Sequence, residues 1–165
     1  MSEHSALSLA TDVLHREATA LDERRWDDWL ALFFEDCEFW IPTWRSEMEL
    51  ISDPRREVSH MYYTSRGPLE DRVYRIGSGR SPASVPLPRT LHLLSNIAVA
   101  NGSPDRLIVR SSFVVHSFFQ RNRQTGLLFG RYEHELRQRD RWGILKKKII
   151  IMNDHIDSAL DFYLA

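Results

Sequence analysis

The chain has 165 residues, 42% of them apolar and 27% charged. That is one domain's length, enough to bury about 70% of the unfolded surface without a metal or disulfide to hold the core. No apolar run approaches the ~20 residues of a membrane helix, and the first ten residues carry neither a basic segment nor a long apolar one, so no export signal is read there. The single cysteine, Cys37, excludes an internal disulfide and any metal site built from four cysteines or from two cysteines and two histidines, and cytoplasmic residence is the expectation.

Net charge is −1, which gives no overall drive toward nucleic acid or membrane. Its distribution is uneven: residues 1–60 hold 14 acidic and 6 basic side chains, a balance of −8, while residues 61–165 hold 9 and 16, a balance of +7. The bases are 19 Arg and 3 Lys. Arg binds carboxylates bidentately and suits interfacial pairs, so the split fits a subunit with complementary faces; a GC-rich genome explains the arginines equally well.

In chain order, Ala10, Val13, Leu14, Ala18 and Leu21 form a stripe at helical spacing. A break at Leu21-Asp22 leads to a second stripe, Trp26, Trp29, Leu30 and Phe33. Glu35-Asp36 is expected to end that helix, with a strand from Cys37 to Ile41 closed by Pro42. Residues 43–57 show no period and read as a long loop. Val58–Thr64 reads as a strand. A third helix is expected from Pro68, with Leu69, Val73 and Ile76 on its buried face and Gly77 and Gly79 as its stop. The prolines at 82, 86 and 88 make 77–90 an irregular loop.

Four long strands should follow: Leu91–Ala100, Arg106–Arg121, Leu127–Arg137 and Trp142–Met152. Turns are expected from Asn101-Gly102 through Pro104, at Gly126 and at Asp140-Arg141. Asp157–Ala165 is a tail. Helices followed by an antiparallel meander predict an α+β domain, and strands this long should curl into a cone with a pocket.

Candidate chemistry is sparse. The seven histidines show no ligand spacing, and in Glu133-His134-Glu135 a strand would turn His134 away from both glutamates. No Gly-x-Ser-x-Gly elbow occurs, and Cys37 reads as a small core residue. Gly77-Ser78-Gly79 follows a helix rather than a strand, the wrong context for a dinucleotide loop. Lys146-Lys147-Lys148 lies mid-strand, with its lysines on alternating faces, and reads as a solvated or partner-facing edge rather than a nucleic-acid site. Asp36, Asp71, Tyr74, His92 and His116 are available for acid–base work in an apolar pocket, without a spacing that makes any two converge.

Four segments carry a likeness: REATALDERRWDDWLALFFEDCEFWIPTW (Arg16 to Trp44), DPRREVSHMYYTSRGPLEDRVYRI (Asp53 to Ile76), PRTLHLLSNI (Pro88 to Ile97) and KKKIIIMNDHIDSALDFY (Lys146 to Tyr163). Together they resemble, in order and over nearly the whole chain, the small or beta subunit of bacterial aromatic-ring-hydroxylating dioxygenases. The likeness is to the branch acting on benzoate, anthranilate and halobenzoate. The segment GSGRSPASVPLP departs from the family in lacking its usual aromatic.

The resemblance implies a cystatin-like, nuclear-transport-factor-like cone: a strongly curved mixed sheet with about three helices packed on it. It also implies a structural role with no cofactor, metal or catalytic residue in this chain. The large (alpha) subunit would carry a Rieske [2Fe–2S] cluster and a mononuclear Fe(II), commonly in an alpha3beta3 hexamer. Electrons would come from NAD(P)H through a reductase, sometimes with a ferredoxin. Trp44, Tyr62, Tyr63 and Arg66, on loop or strand-end segments, are the expected interface residues, with core packing the alternative for the two tyrosines. Two other functions stand beside this one: a stand-alone cone-fold lyase or isomerase with a pocket His or Asp as base, and a small binding protein for an apolar ligand.

Overall fold

The computed structural model describes residues 2–78, 86–154 and 160–165. Helix α1 runs Glu3–Asp22, and the Ser2 side chain caps it by accepting from the Ser5 backbone N–H. Its apolar stripe is buried at Ala6, Ala10, Val13, Leu14, Ala20 and Leu21. The helix stops where the sequence breaks. Arg24 enters the left-handed region (φ 57°) while the Arg24 and Arg25 amides bond back to Leu21 and Ala20 carbonyls, the double closure of a Schellman turn.

Helix α2 is only Trp26–Leu30, and strand β1 spans Phe33–Pro42. The second helix is therefore shorter than its stripe suggests, and Glu35 and Asp36 lie in the strand rather than at a helix end. Phe33 stays in the same core through the strand: its ring meets Trp29 edge-on at 5.1 Å. Helical and strand parity happen to bury the same side chain. Residues 43–57 form the expected loop, with one isolated bridge between Trp44 and Leu50, and Val58 extends it by one residue.

Strand β2 is Ser59–Tyr63 and helix α3 is Gly67–Gly77 with Pro at its start. Residues 79–85 of the proline-rich loop, including Gly79, lie outside the described residues. Then come β3 (Arg89–Ser103), β4 (Arg106–Phe119), β5 (Gln124–Gln138) and β6 (Trp142–Ile151).

The sheet order is β2-β1-β6-β5-β4-β3, with β1 parallel to β6 and every other pair antiparallel. The mixed, curved sheet wraps α1, which gives the α+β cone. Two turns are tighter than expected. Asn101 and Gly102 still pair with Ile108 and Leu107, because bulges in β3 shift the register and a Ser103–Asp105 side-chain hydrogen bond closes the turn after them. Gly126 is also a strand residue, opposite Ser117, where a Cβ would come within 2.4 Å of the serine Oγ. Lys146–Lys148 sit in β6, third from one edge of the sheet, and so are not on an edge.

The C-terminus plugs the cone. A 3-10 turn at Phe162–Leu164 stacks Phe162 on Trp29 (4.5 Å, 16°) and edge-on to Trp26 (5.5 Å). Residues 155–159 of the expected tail are outside the described set.

Gly130 is the tightest point of the sheet: a Cβ there would meet the Ile150 carbonyl oxygen at 1.9 Å, a backbone atom that cannot swing away. Gly130→Ala should lower stability by about 2–3 kcal/mol, the cost of overpacking a core site; urea denaturation midpoints at matched m-values check this.

Candidate functional site

The cone interior is the natural place for a site, and its polar centre is built from three elements. Glu17 stands on the buried face of α1, His134 on β5 and Lys147 on β6, with side-chain exposures of 3%, 0% and 1%. Strand parity does this. His134 pairs with Lys147 across the β5–β6 ladder, and both project inward with Tyr132 and Ile149, while Glu133, Glu135, Lys146 and Lys148 project outward.

The Glu17 carboxylate accepts from Lys147 Nζ at 2.8 Å, from His134 Nε2 at 3.1 Å and from the Trp29 indole N–H at 3.4 Å. Burial alone would push the Glu17 carboxyl up. The Lys147 charge and the His134 hydrogen bond override it and hold the group at about 2. His134 is held below its ordinary value, first by burial, against the pull of Glu17. A neutral ring with its proton on Nε2 leaves Nδ1 an acceptor, and that atom is buried without a hydrogen-bond partner among the described residues. The Lys147 ammonium also lies 4.4 Å from the Tyr132 ring centroid, and Tyr132 stacks on Phe113 at 4.1 Å.

A second polar pair closes the opening between α1 and β3. Asp22, at the end of α1, accepts from His92 Nδ1 (2.6 Å), the His92 amide (2.8 Å) and the Thr90 hydroxyl (2.9 Å). Burial works against the Asp22 anion, but these bonds and the His92 ring keep its pKa below the ordinary value.

Between the two clusters is a void of about 10 Å³, lined by Leu14, Leu21, Glu17, His92, Tyr132 and Lys147. That is room for about one water. Aromatic rings need far more, since ligand pockets run to about 300–1,000 Å³. Larger cavities among the described residues are open surface clefts: about 630 Å³ between α2 and α3, about 490 Å³ outside His92 between α1 and β3, and about 440 Å³ beside Asp36 and Arg139.

The residues singled out from sequence are placed as follows. Trp44 is half-buried and donates its indole N–H to the Ile151 carbonyl (2.7 Å). Tyr62 lies on the outer sheet face, edge-on to Trp40. Tyr63 points inward, stacks on Phe39 and accepts a 2.7 Å hydrogen bond from Arg72. Arg66 donates to the Phe33 carbonyl and to Glu70. The structure does not bring these four together.

Asp36 pairs with Arg139 at the surface, and Asp71, Tyr74 and His116 are exposed. Burial pushes the Cys37 thiol up to about 11, which fits a core residue. Glu135 binds Arg106 and Arg137 outside the cone while His134 faces in. Among the described residues no three His, Cys, Asp or Glu side chains form a metal-holding group.

The sequence reading does not single out Glu17 and takes Lys147, with its two neighbours, for a solvated or partner-facing edge, although both leave a signal. Glu17 interrupts the α1 stripe at a buried helical position, and Lys147 shares strand parity with Ile149 and Ile151.

The pattern that defines the ring hydroxylating beta subunit matches residues 16–158. The chain belongs to that family. It is 36% identical over 151 residues to the 2-halobenzoate 1,2-dioxygenase small subunit of Burkholderia cepacia, covering 91% of this chain and 90% of that one. It is 36% identical over 150 residues to the benzoate 1,2-dioxygenase beta subunit of Acinetobacter baylyi, covering 91% and 88%. The solved beta subunit of the benzoate 1,2-dioxygenase of Burkholderia mallei superposes with a TM-score of 0.77 at 30% identity, covering 94% of each chain. As a beta subunit of an aromatic-ring-hydroxylating dioxygenase, the protein is the small chain of an oxidoreductase complex. Its polar interior is a packed ion cluster rather than an open pocket.

The cluster makes stability acid-sensitive. Glu17 is held near 2 against an ordinary 4.5, so its contribution is full above pH 4.5 and is lost as pH falls toward 2. His134, held below 6.5, acts in the same direction beneath that pH. Glu17→Gln should cost about 3–5 kcal/mol at pH 7 by leaving Lys147 buried without its counter-charge and should flatten the loss of stability below pH 4.5. Glu17→Gln with Lys147→Met should recover most of the loss; a double-mutant cycle of denaturation free energies against pH checks all three.

Proposed function

We propose that this beta subunit is a non-catalytic assembly subunit of a terminal oxygenase that adds both atoms of O2 to an aromatic carboxylic acid. The observation that carries the reading is the filled cone. Among the described residues, with Glu17, His134, Lys147 and the Phe113–Tyr132 stack in place, a void of about 10 Å³ leaves no space for a ring beside them. The same observation disfavours a stand-alone lyase or a binder of apolar ligands. The halobenzoate and benzoate names of the relatives support an aromatic acid as the substrate.

The reaction's metal groups do not fit this chain. A Rieske centre needs two Cys and two His, and the single cysteine here is buried in the core. On this reading the Rieske cluster and the mononuclear iron belong to the large subunit, with electrons arriving from NAD(P)H through a reductase, with or without a ferredoxin. We place the complex in the cytoplasm as an alpha3beta3 hexamer; no helix among the described residues is long and apolar enough to cross a membrane. Trp44 and Tyr62 keep partly exposed rings for subunit contact, while Tyr63 and Arg66 are held apart from them by Arg72 and by the Phe33 carbonyl.

Co-expression with the large chain, followed by separation of the subunits, tests the proposal. The expected result is a stable hetero-oligomer with equal numbers of the two chains, all iron and the Rieske electron paramagnetic resonance signal remaining with the large chain, and dihydroxylation of benzoate-type acids. Stoichiometric iron on the separated small chain, or turnover of an arene by it alone, would overturn the reading.

A further inference from the structure

The polar interior is tied at both ends and unfinished between them. Asp22 holds His92 by its Nδ1 at 2.6 Å, and Glu17 holds Lys147 at 2.8 Å. Two buried polar atoms between these pairs, His92 Nε2 and the Tyr132 hydroxyl, have no hydrogen-bond partner among the described residues. The His92 side chain is 1% exposed and Tyr132 is 3% exposed. Folded proteins pair roughly nine in ten such groups, because a buried polar atom without a partner is destabilising. Both residues line the void of about 10 Å³, together with Glu17 and Lys147. His134, whose Nδ1 is also unpartnered, does not line it.

The two atoms are complementary through a third. A carboxylate only accepts, so the Asp22 contact puts a proton on His92 Nδ1 and leaves Nε2 of the neutral ring an acceptor. The Tyr132 hydroxyl donates. The Lys147 ammonium has three N–H groups, and among the described residues its only protein acceptor is Glu17.

The walls select the occupant. The volume takes about one water-sized molecule. A cation would meet the Lys147 ammonium, and among the described residues no three His, Cys, Asp or Glu side chains are grouped to hold one. An anion would meet the Glu17 carboxylate. What remains is a neutral molecule that both donates and accepts.

We propose that the void is a binding site for one internal water, which donates to His92 Nε2 and accepts from the Tyr132 hydroxyl and the Lys147 ammonium. Three hydrogen bonds are the usual complement of a buried water. The water joins the two ion clusters into one network, from Asp22 at the end of α1 through β3, β5 and β6 to Glu17 on the same helix. Ala18, His92 and Leu94 line both the void and the cleft of about 490 Å³ outside it, so they are the wall between the water and solvent. Asp22 holds the His92 part of that wall in place. The site belongs to the chain whether or not the assembly reading holds.

A high-resolution crystal structure of the full chain, alone or in its complex, tests the site directly. It should show one ordered water within about 2.6–3.2 Å of both His92 Nε2 and the Tyr132 hydroxyl. No water there, or a water that touches neither atom, would overturn the proposal. Tyr132→Phe tests it by sign. A hydroxyl bonded to an internal water is stabilising, so removing it should lower the folding equilibrium constant at least about threefold. A hydroxyl with no partner destabilises, so a smaller fall, no change or a rise would overturn the proposal. Oxygen-17 relaxation dispersion, which detects long-lived internal waters, separates the water from side-chain packing. Tyr132→Phe and Asp22→Asn should each release it at least about tenfold faster, the first by removing a donor and the second by loosening the wall. Release no faster in Tyr132→Phe would overturn the site, and release no faster in Asp22→Asn would overturn the exit past His92.

Discussion

One carboxylate organises the interior. Glu17 draws an ammonium, an imidazole and an indole N–H from three other elements onto two oxygen atoms. A buried lysine without it would be a charge stranded in a low-dielectric core. Because its donors come from α2, β5 and β6, the contact fixes how α1 seats in the curved sheet. The aromatic rings around it, Trp29, Phe39, Phe113 and Tyr132, then pack against a centre that cannot slide. Apolar filling alone would tolerate several helix registers; an ion cluster with three directional donors tolerates one.

That constraint also decides what the cone is for. A curved sheet around a helix is a shape that can hold a ligand, and the polar groups inside this one could serve as acid or base in a roomier cavity. Here the two carboxylates are satisfied, while His92 Nε2, His134 Nδ1 and the Tyr132 hydroxyl have no hydrogen-bond partner among the described residues. Glu17 is fully engaged, and Asp22 spends its oxygens on Thr90 and His92. On the proposed assembly reading, the interior polar groups serve stability and the outward surfaces carry the function. This agrees with membership in a family of small subunits whose complexes act on aromatic rings.

Much of the fold was legible because burial and periodicity agree. The α1 stripe, the break after Asp22, the third helix and the four long strands follow from apolar spacing, and the family likeness completed the cone. The misreadings have local physical causes. Phe33 satisfies both helical and strand spacing, so helix two looked too long. The Asn101-Gly102 pair mimics a hairpin turn, but bulges in β3 carry the ladder past it. Gly126 is there for a close approach to Ser117 rather than for a turn. The interior cluster was hidden by residue type: a Glu in an apolar stripe and a Lys in a run of three read as surface until long-range pairing, 117 to 130 residues apart, brings them together.

The most direct measurement is the turnover number per iron of the assembled oxygenase carrying Asp22→Asn or His92→Gln in the small chain. A filled, structural cone predicts values within about twofold of the unmodified complex, the ordinary range for a residue outside the reacting site. A loss of about a hundredfold, the scale of a missing general acid or base, in a complex of intact size and iron content would contradict the account.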